Sequence, residues 1–189
     1  MVYFLQICWK GGAVLEQKEG TAAFLIVEGI LYALFLTMDL TVHRDQTIPI
    51  KYLGILLCLG FALLACIRWD GDRLVPLALA LTAGADWFLL VRHNCYAVGV
   101  ILFLCVQTVY LLRLRRTGAP AAWPLRAGLA LAAGAGLYAL NMASPLNLLA
   151  GLYFSQLLSN TILAWTLRGR AVRLFALGLT LFVGCDICL

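Results

Sequence analysis

Charged residues are scarce in this sequence: they make up 12% of 189 residues, about half the share usual in soluble domains. Histidine occurs only twice. The chain has no Gly-x-Ser-x-Gly, no His-Glu-x-x-His and no phosphate-binding loop, so serine hydrolase and zinc protease mechanisms lack support. Its basic residues are not interleaved with aromatic ones, so no nucleic-acid partner is expected.

The cysteines also give no sign of a disulfide framework or a metal centre. There are seven of them, an odd number, and most lie in apolar runs, which is typical of free, buried thiols. Cys185 and Cys188 have the spacing of a metal or redox pair, but the chain contains no second such pair. We therefore expect no metal and no cofactor.

The sequence is rich in long apolar runs. Hydrophobic residues make up 63% of the chain, which favours lipid as its surroundings. Seven apolar runs, each of about 17–20 residues, match a helix that crosses a bilayer, and helices satisfy their own backbone hydrogen bonds there. The sequence predicts an all-α, polytopic transmembrane helix bundle over 21–189, preceded by a cytoplasmic segment at 1–20. The predicted spans are 21–40, 51–67, 74–91, 95–112, 124–143, 146–167 and 172–189.

Lysine and arginine are distributed unequally between the two sides of this bundle. Eleven of the fourteen lie at the N-terminus or in the loops at 68–73, 113–126 and 168–173. By the positive-inside rule these segments face the cytoplasm. The short loops, with no signal peptide before them, favour a bacterial inner membrane. The chain reaches Leu189 directly after the seventh run, and we expect an eighth span to follow.

Two carboxylates lie deep inside apolar runs, at Asp86 and Asp186. Each follows an arginine by 13 residues, Arg73 or Arg173, which is about 20 Å along a helix. Both acids are therefore expected at one depth in the outer half. Gly-x-Asp occurs at both places, which leaves open a repeat of two four-helix halves. Acids in membrane helices usually face a bundle interior or a wet cavity.

Other polar residues are expected at a similar depth. Two carboxyl groups in one low-dielectric pocket cannot both ionise cheaply, so one should keep its proton while the other is charged, as a general acid and base require. The alternative is a structural network of Asp–Lys and Asp–Asn pairs that locks the helices together. The residues expected to support the pocket are Asp39, Lys51, Asn141 and Tyr153, with Gln107 and Tyr110 at its floor.

Four short motifs follow one another from Lys51 to the end of the chain. They are Lys51; Gly84 to Leu89; Gly99, Phe103, Gln107 and Tyr110; and Leu181 to Asp186. In these positions the chain resembles the YhhN/TMEM86 family of lysoplasmalogenase-like membrane proteins, whose last two patterns are Gly-x-x-x-Phe-x-x-x-His-x-x-Tyr and Leu-Phe-x-x-Ser-Asp. The departures are Ala85 inside the family's Gly-Asp, Gln107 in place of its His, and Cys185 in place of its Ser.

The resemblance implies an eight-span fold and hydrolysis of the vinyl-ether bond of a lysophospholipid, with release of a fatty aldehyde. In this interpretation Asp86 and Asp186 are catalytic, and Lys51 keeps one acid ionised or binds the phosphate. Tyr153 or Gln107 would orient water or substrate. Two alternatives remain: a proton-coupled transporter of a small amphiphile, and a non-catalytic membrane scaffold.

Overall fold

A computed structural model describes residues 14–41, 48–69, 71–92 and 95–188. Those residues form seven α-helices and no strand, so the predicted all-α bundle is confirmed. A π-helical turn, Trp87–Val91, extends the third helix. The helices are α1 (Val14–Thr41), α2 (Ile48–Trp69), α3 (Leu74–Asp86), α4 (Tyr96–Arg116), α5 (Trp123–Ala139), α6 (Pro145–Thr166) and α7 (Arg170–Cys188).

Helix length and composition make this a membrane protein. Within the described part of the chain, α2, α4 and α6 are long and apolar enough to cross a bilayer. Shorter apolar helical stretches cover Gly20–Phe35 and Leu74–Leu89. Large apolar side chains stay exposed along the helices, as expected where lipid rather than water surrounds the protein.

Observed helix ends differ from the predicted spans by four residues or more in three places, one of them the end of α4 at Arg116 rather than at 112. Helix α1 begins at Val14, inside the segment predicted to precede the bundle. Helix α5 ends at Ala139 rather than at 143, because Asn141 takes a left-handed conformation with φ 57° and the chain turns there. The next helix starts at Pro145, and the Ser144 hydroxyl accepts a hydrogen bond from the backbone N–H of Asn147 at 3.1 Å. The expected eighth span stays a prediction.

The helices pack in the order α1, α2, α3, α4, α6, and α6 also carries α5 and α7 on its other sides. Helices α4 and α6 therefore form the centre of the bundle. The main core joins their side chains to those of α3 and α7, with Ala85, Val106, Leu157 and Leu179 almost fully buried. Between α1 and α2, the Cys58 thiol of α2 donates a hydrogen bond to the buried Glu28 carboxylate of α1 at 3.3 Å.

Pairs that are adjacent in the chain run antiparallel, so the bundle has two distinct ends. We name the end with the connections after α3 and after α5 the acid end, because Asp86 and Asp186 lie near it. The opposite end, with the connections after α2, α4 and α6, is the arginine end. There Asp72 forms ion pairs with Arg113 at 3.4 Å and Arg116 at 3.6 Å, which joins the α2–α3 connection to the end of α4.

Candidate functional site

Asp86 is the last residue of α3, where the helix widens into the π-helical turn. The amide of Arg92 donates to the carbonyl of Trp87, five residues earlier, at 3.0 Å. Only 8% of Asp86 is exposed, and among the described residues its side chain makes no hydrogen bond. Single π-helical turns occur often at functional sites, and this one follows directly on the buried acid.

Gly99 of α4 allows the turn to lie close to its neighbour. A β-carbon at Gly99 would lie 2.6 Å from Cγ of Leu89 and 3.2 Å from the carbonyl oxygen of Ala85. Real β-carbons do not approach other atoms as closely as the first of these distances, so only glycine fits without a shift of the turn. The contact fixes the backbone on both sides of Asp86.

The second acid, Asp186, contacts α6. The Tyr153 hydroxyl donates to Oδ2 of Asp186 at 2.6 Å. The carboxyl group of Asp86 lies within electrostatic range of Asp186, and the Tyr153 hydroxyl lies within range of both Asp86 and Tyr110. The structure therefore brings the two predicted acids together with one of the predicted tyrosines. We call Asp86, Tyr153 and Asp186 the acid layer.

Aromatic rings close the acid layer on the side of the arginine end. The Phe103 ring centre lies 5.5 Å from that of Tyr153 and 6.0 Å from that of Phe182. Leu157, one turn after Tyr153, is fully buried. Tyr110 lies further along α4 and packs edge-on against Phe175 at 5.5 Å. Aromatic and apolar side chains thus lie beneath the acids, with Tyr110 within electrostatic range of the Tyr153 hydroxyl.

A second polar layer lies beyond these rings. Nη2 of Arg126 donates to Oδ1 of Asn160 at 2.6 Å, and Nη1 donates to Oε1 of Gln156 at 2.7 Å. Nδ2 of Asn160 in turn donates to the backbone and side-chain carbonyls of Gln107, at 2.9 and 3.0 Å. Nε of Arg126 donates to the carbonyl of Ala121 at 2.9 Å. We call Arg126, Gln107, Gln156 and Asn160 the arginine layer.

Sequence reasoning missed most of this second layer. Arg126 counts as a loop charge in the sequence, yet it is only 3% exposed and joins α5 to α6. The available signal was Gln156 and Asn160, which lie four residues apart and so share one helix face. Gln107, predicted at the floor of the acid pocket, belongs to this layer instead, because α4 carries it one turn beyond Phe103.

The other predicted residues lie elsewhere. Nζ of Lys51 lies 4.6 Å from the ring centre of Phe35, so this lysine faces α1. The side chain of Asp39 is outside the described residues. Asn141 is exposed in the turn after α5, and Asn147 lines the nearby cavity in its place. Depth along the chain does not set the direction in which a side chain points.

A cavity opens beside the acid layer, with a volume of about 550 Å³. This volume is typical of small-molecule sites, which span roughly 300–1,000 Å³. Among the described residues, no group of three His, Cys, Asp or Glu side chains is placed to hold a metal ion. The residues that line the cavity are Ala132, Ala133, Gly136, Leu137, Met142, Asn147, Ala150, Gly151, Tyr153, Phe154 and Asp186.

Comparison with known proteins identifies the family but gives no individual relative. No curated protein and no solved structure matches the chain. The model of the YhhN family matches residues 46–189, which is more than half of the chain. The match includes α2 to α7, and therefore both polar layers and the cavity. The resemblance seen in the sequence is confirmed, and the chain belongs to the YhhN family.

Proposed function

We propose that this protein is a lysoplasmalogenase-like membrane hydrolase that cleaves the vinyl-ether bond of a lysophospholipid. The observation that carries the proposal is the Asp186–Tyr153 pair, which lines the cavity while Asp86 lies buried behind it. Cleavage of a vinyl ether needs a proton donor strong enough to protonate carbon, then a base for water. One carboxyl group can supply both in turn, first as an acid and then as a carboxylate base.

The two acids hold protons as a pair. Two negative charges within electrostatic range of each other in a low-dielectric interior repel each other, so the pair keeps at least one proton. Only Asp186 lines the cavity, so it is the group that passes a proton to the substrate. Asp86 acts through Asp186. Its carboxyl group makes it harder to remove the last proton of the pair, which Asp186 holds. Asp86 is therefore a positioning residue rather than a group in contact with substrate.

The reaction then proceeds in three balanced steps. Asp186 gives its proton to the vinyl carbon remote from oxygen, whose π electrons form the new C–H bond and leave an oxocarbenium ion. Water attacks the cationic carbon and returns a proton to Asp186, whose carboxylate is stabilised meanwhile by the Tyr153 hydroxyl. The resulting hemiacetal loses its hydroxyl proton and breaks its C–O bond, and the departing oxygen takes up a proton. The products are an aldehyde and an alcohol, and one water is consumed.

The layers beneath the acids support a hydrolase more than a transporter. A proton-coupled transporter needs a polar path from the cavity to the opposite side. Beneath Tyr153 and Asp186 lie the rings of Phe103 and Phe182, followed by the hydrogen-bonded arginine layer. Uptake by vesicles driven by a proton gradient, with no aldehyde formed, would favour the transporter. We assign no chemical step to Lys51, because its ammonium group lies over Phe35.

Hydrolysis in heavy water tests the mechanism directly. We expect the purified protein in detergent to release aldehyde from a lysoplasmalogen, with one deuterium on the carbon next to the carbonyl group. The aldehyde must be reduced as it forms, so that exchange does not add more. A saturated alkyl-ether analogue, which cannot be protonated at carbon, is the matched control and should not react. A folded protein that releases no aldehyde, or aldehyde without that deuterium, would contradict the proposal.

A further inference from the structure

An exposed patch on α6 and α7, at the arginine end, combines positive charge with an aromatic ring. Arg168 lies in the connection after α6. Arg173 lies in the first turn of α7, where its backbone N–H donates to the carbonyl of Gly169 at 3.0 Å. Both arginine side chains are exposed. Because Gly169 directly follows Arg168, the two arginines lie about one helical turn apart.

Neither arginine has a carboxylate partner among the residues whose side chains are described. Asp72, at the same end of the bundle, is already paired with Arg113 and Arg116. Asp186, the acid of α7, follows Arg173 by 13 residues, which is about 20 Å along the helix. Two positive charges therefore face the surroundings without a counter-charge from the described protein, and they favour a negatively charged partner.

The aromatic ring of the patch belongs to Trp165, which is 54% exposed. Its indole N–H donates to the hydroxyl of Thr180 at 3.0 Å, so the ring lies across α6 and α7. Exposed Leu177 lies between Arg173 and Thr180 on the same face of α7, because the three are spaced by four and three residues. Since Thr180 satisfies the indole N–H, the ring presents an apolar surface to the bilayer about 10 Å from the level of Arg173.

We infer that this patch binds an anionic phospholipid of the surrounding bilayer, with the lipid phosphate at Arg168 and Arg173. An acyl chain of the lipid then lies against Trp165 and Leu177. A zwitterionic phospholipid fits less well, because the two arginines repel the cation of its headgroup. An acidic protein surface would match the charges but not the exposed indole. The patch is separate from the cavity, because Trp165 lies about 18 Å beyond Tyr153 along α6.

Native mass spectrometry of the full chain in detergent tests this inference, with phosphatidylglycerol and phosphatidylcholine of the same acyl chains as probes. We expect the wild type to bind one phosphatidylglycerol about tenfold more tightly than phosphatidylcholine. Arg168→Gln and Arg173→Gln should each weaken phosphatidylglycerol binding about fivefold, and the double variant about thirtyfold, because each arginine near a lipid surface adds a similar attraction. Binding of phosphatidylcholine should change little.

Arg115→Gln is the matched control. Arg115 is also an exposed arginine at the arginine end, but it belongs to α4, and this variant should bind phosphatidylglycerol like the wild type. All three arginines are exposed, so the unfolding midpoint of each variant in detergent should stay near the wild-type value. Equal affinity for the two lipids, an equal loss in Arg115→Gln, or full affinity in the double variant would overturn the inference.

Fluorescence quenching locates the acyl chain. In phosphatidylcholine vesicles, a small fraction of phosphatidylglycerol with brominated chains should quench Trp165 more than the same fraction of brominated phosphatidylcholine. The Trp165 signal is the difference between the wild type and Trp165→Phe. Equal quenching by the two brominated lipids would contradict a lipid site at this ring. Neither measurement uses aldehyde release, so failure of the lipid site would leave the proposed hydrolysis unaffected, and the reverse also holds.

Discussion

Two polar layers cross this bundle, and they differ in how their groups are satisfied. In the arginine layer, Arg126 donates three hydrogen bonds to the carbonyl groups of Ala121, Gln156 and Asn160, and Asn160 extends the network to Gln107. In the acid layer, one hydrogen bond joins Tyr153 to Asp186, and Asp86 is buried without one among the described residues. The first layer lies among packed helices, whereas the second borders a cavity.

The difference separates structure from chemistry. A buried charge that makes several hydrogen bonds holds helices in register and has little freedom to react, although Nε2 of Gln107 in this layer is buried without a partner among the described residues. A buried carboxyl group with few partners is destabilising, and such groups are typically retained where they serve a function. We therefore expect changes in the acid layer to alter activity more than stability, and changes in the arginine layer to do the reverse.

The largest effect is expected at the acid that lines the cavity. Asp186→Asn keeps the size of the side chain but removes the exchangeable carboxyl proton, so aldehyde release should fall about 10³-fold or more. The unfolding midpoint in detergent should stay near that of the wild type. Asp72→Asn, a carboxyl group outside both layers, is the control and should retain activity.

Asp86→Asn should have the next largest effect on activity. It removes the neighbour that opposes ionisation of Asp186, so aldehyde release should fall about 100-fold. The free energy of unfolding should not decrease, because a neutral amide replaces an acid that has no hydrogen-bond partner among the described residues. Measured kcat equal to the wild-type value would remove Asp86 from the mechanism.

Arg126→Ala should show the opposite pattern. It leaves the carbonyl oxygens of Gln156 and Asn160 without their donor, so the free energy of unfolding should fall by about 2–3 kcal/mol. The rate of aldehyde release per folded molecule should change little. Arg115→Ala at the exposed end of α4 is the matched control. A large loss of rate with no loss of stability would mean that the layer takes part in chemistry.

Tyr153→Phe should reduce activity moderately. The ring and its contact with Phe103 remain, but the hydrogen bond to the Asp186 carboxylate is lost. We expect kcat to fall about tenfold, the effect of one hydrogen bond to a charged group. The decrease should appear in kcat rather than in KM, since the bond stabilises the carboxylate formed during the reaction. An unchanged kcat would mean that Asp186 does not become charged at that step.

The smallest effect is expected at Gln107, where the family pattern has histidine. Gln107 is hydrogen bonded to Asn160 and is separated from the acids by the Phe103 and Phe182 rings. Gln107→His should therefore change kcat by less than about threefold, well under one general acid–base contribution. Steady-state aldehyde release measures this. A gain of activity by a hundredfold would show that the position contributes directly to the reaction.

Depth along each helix was predictable from the sequence, whereas orientation around each helix was not. Residue spacing at 1.5 Å per residue placed Asp86 and Asp186 at one level, and the structure brings them together. The same spacing placed Lys51 and Gln107 near the pocket, but Lys51 faces α1 and Gln107 faces Asn160. Rotation and neighbour order depend on packing, such as the close fit at Gly99, which a single sequence does not encode in a readable pattern.

The π-helical turn and the buried Arg126 were equally invisible in the sequence. Residues 87–91 read as ordinary apolar helix, because a π-helical turn changes hydrogen-bond register without a distinctive composition. Arg126 follows a proline at the start of a span, where arginine normally counts toward membrane orientation. Its burial arises only because α6 presents two amides to it, and that pairing is tertiary.

The most direct test compares aldehyde release from a lysoplasmalogen by the wild type, Asp186→Asn and Arg126→Ala, each corrected for its folded fraction. If the acid layer performs the chemistry and the arginine layer holds the bundle, the wild type and Arg126→Ala release aldehyde at similar rates per folded molecule. Asp186→Asn then releases essentially none. Aldehyde release by Asp186→Asn at the wild-type rate would contradict the assignment of chemistry to the acid layer.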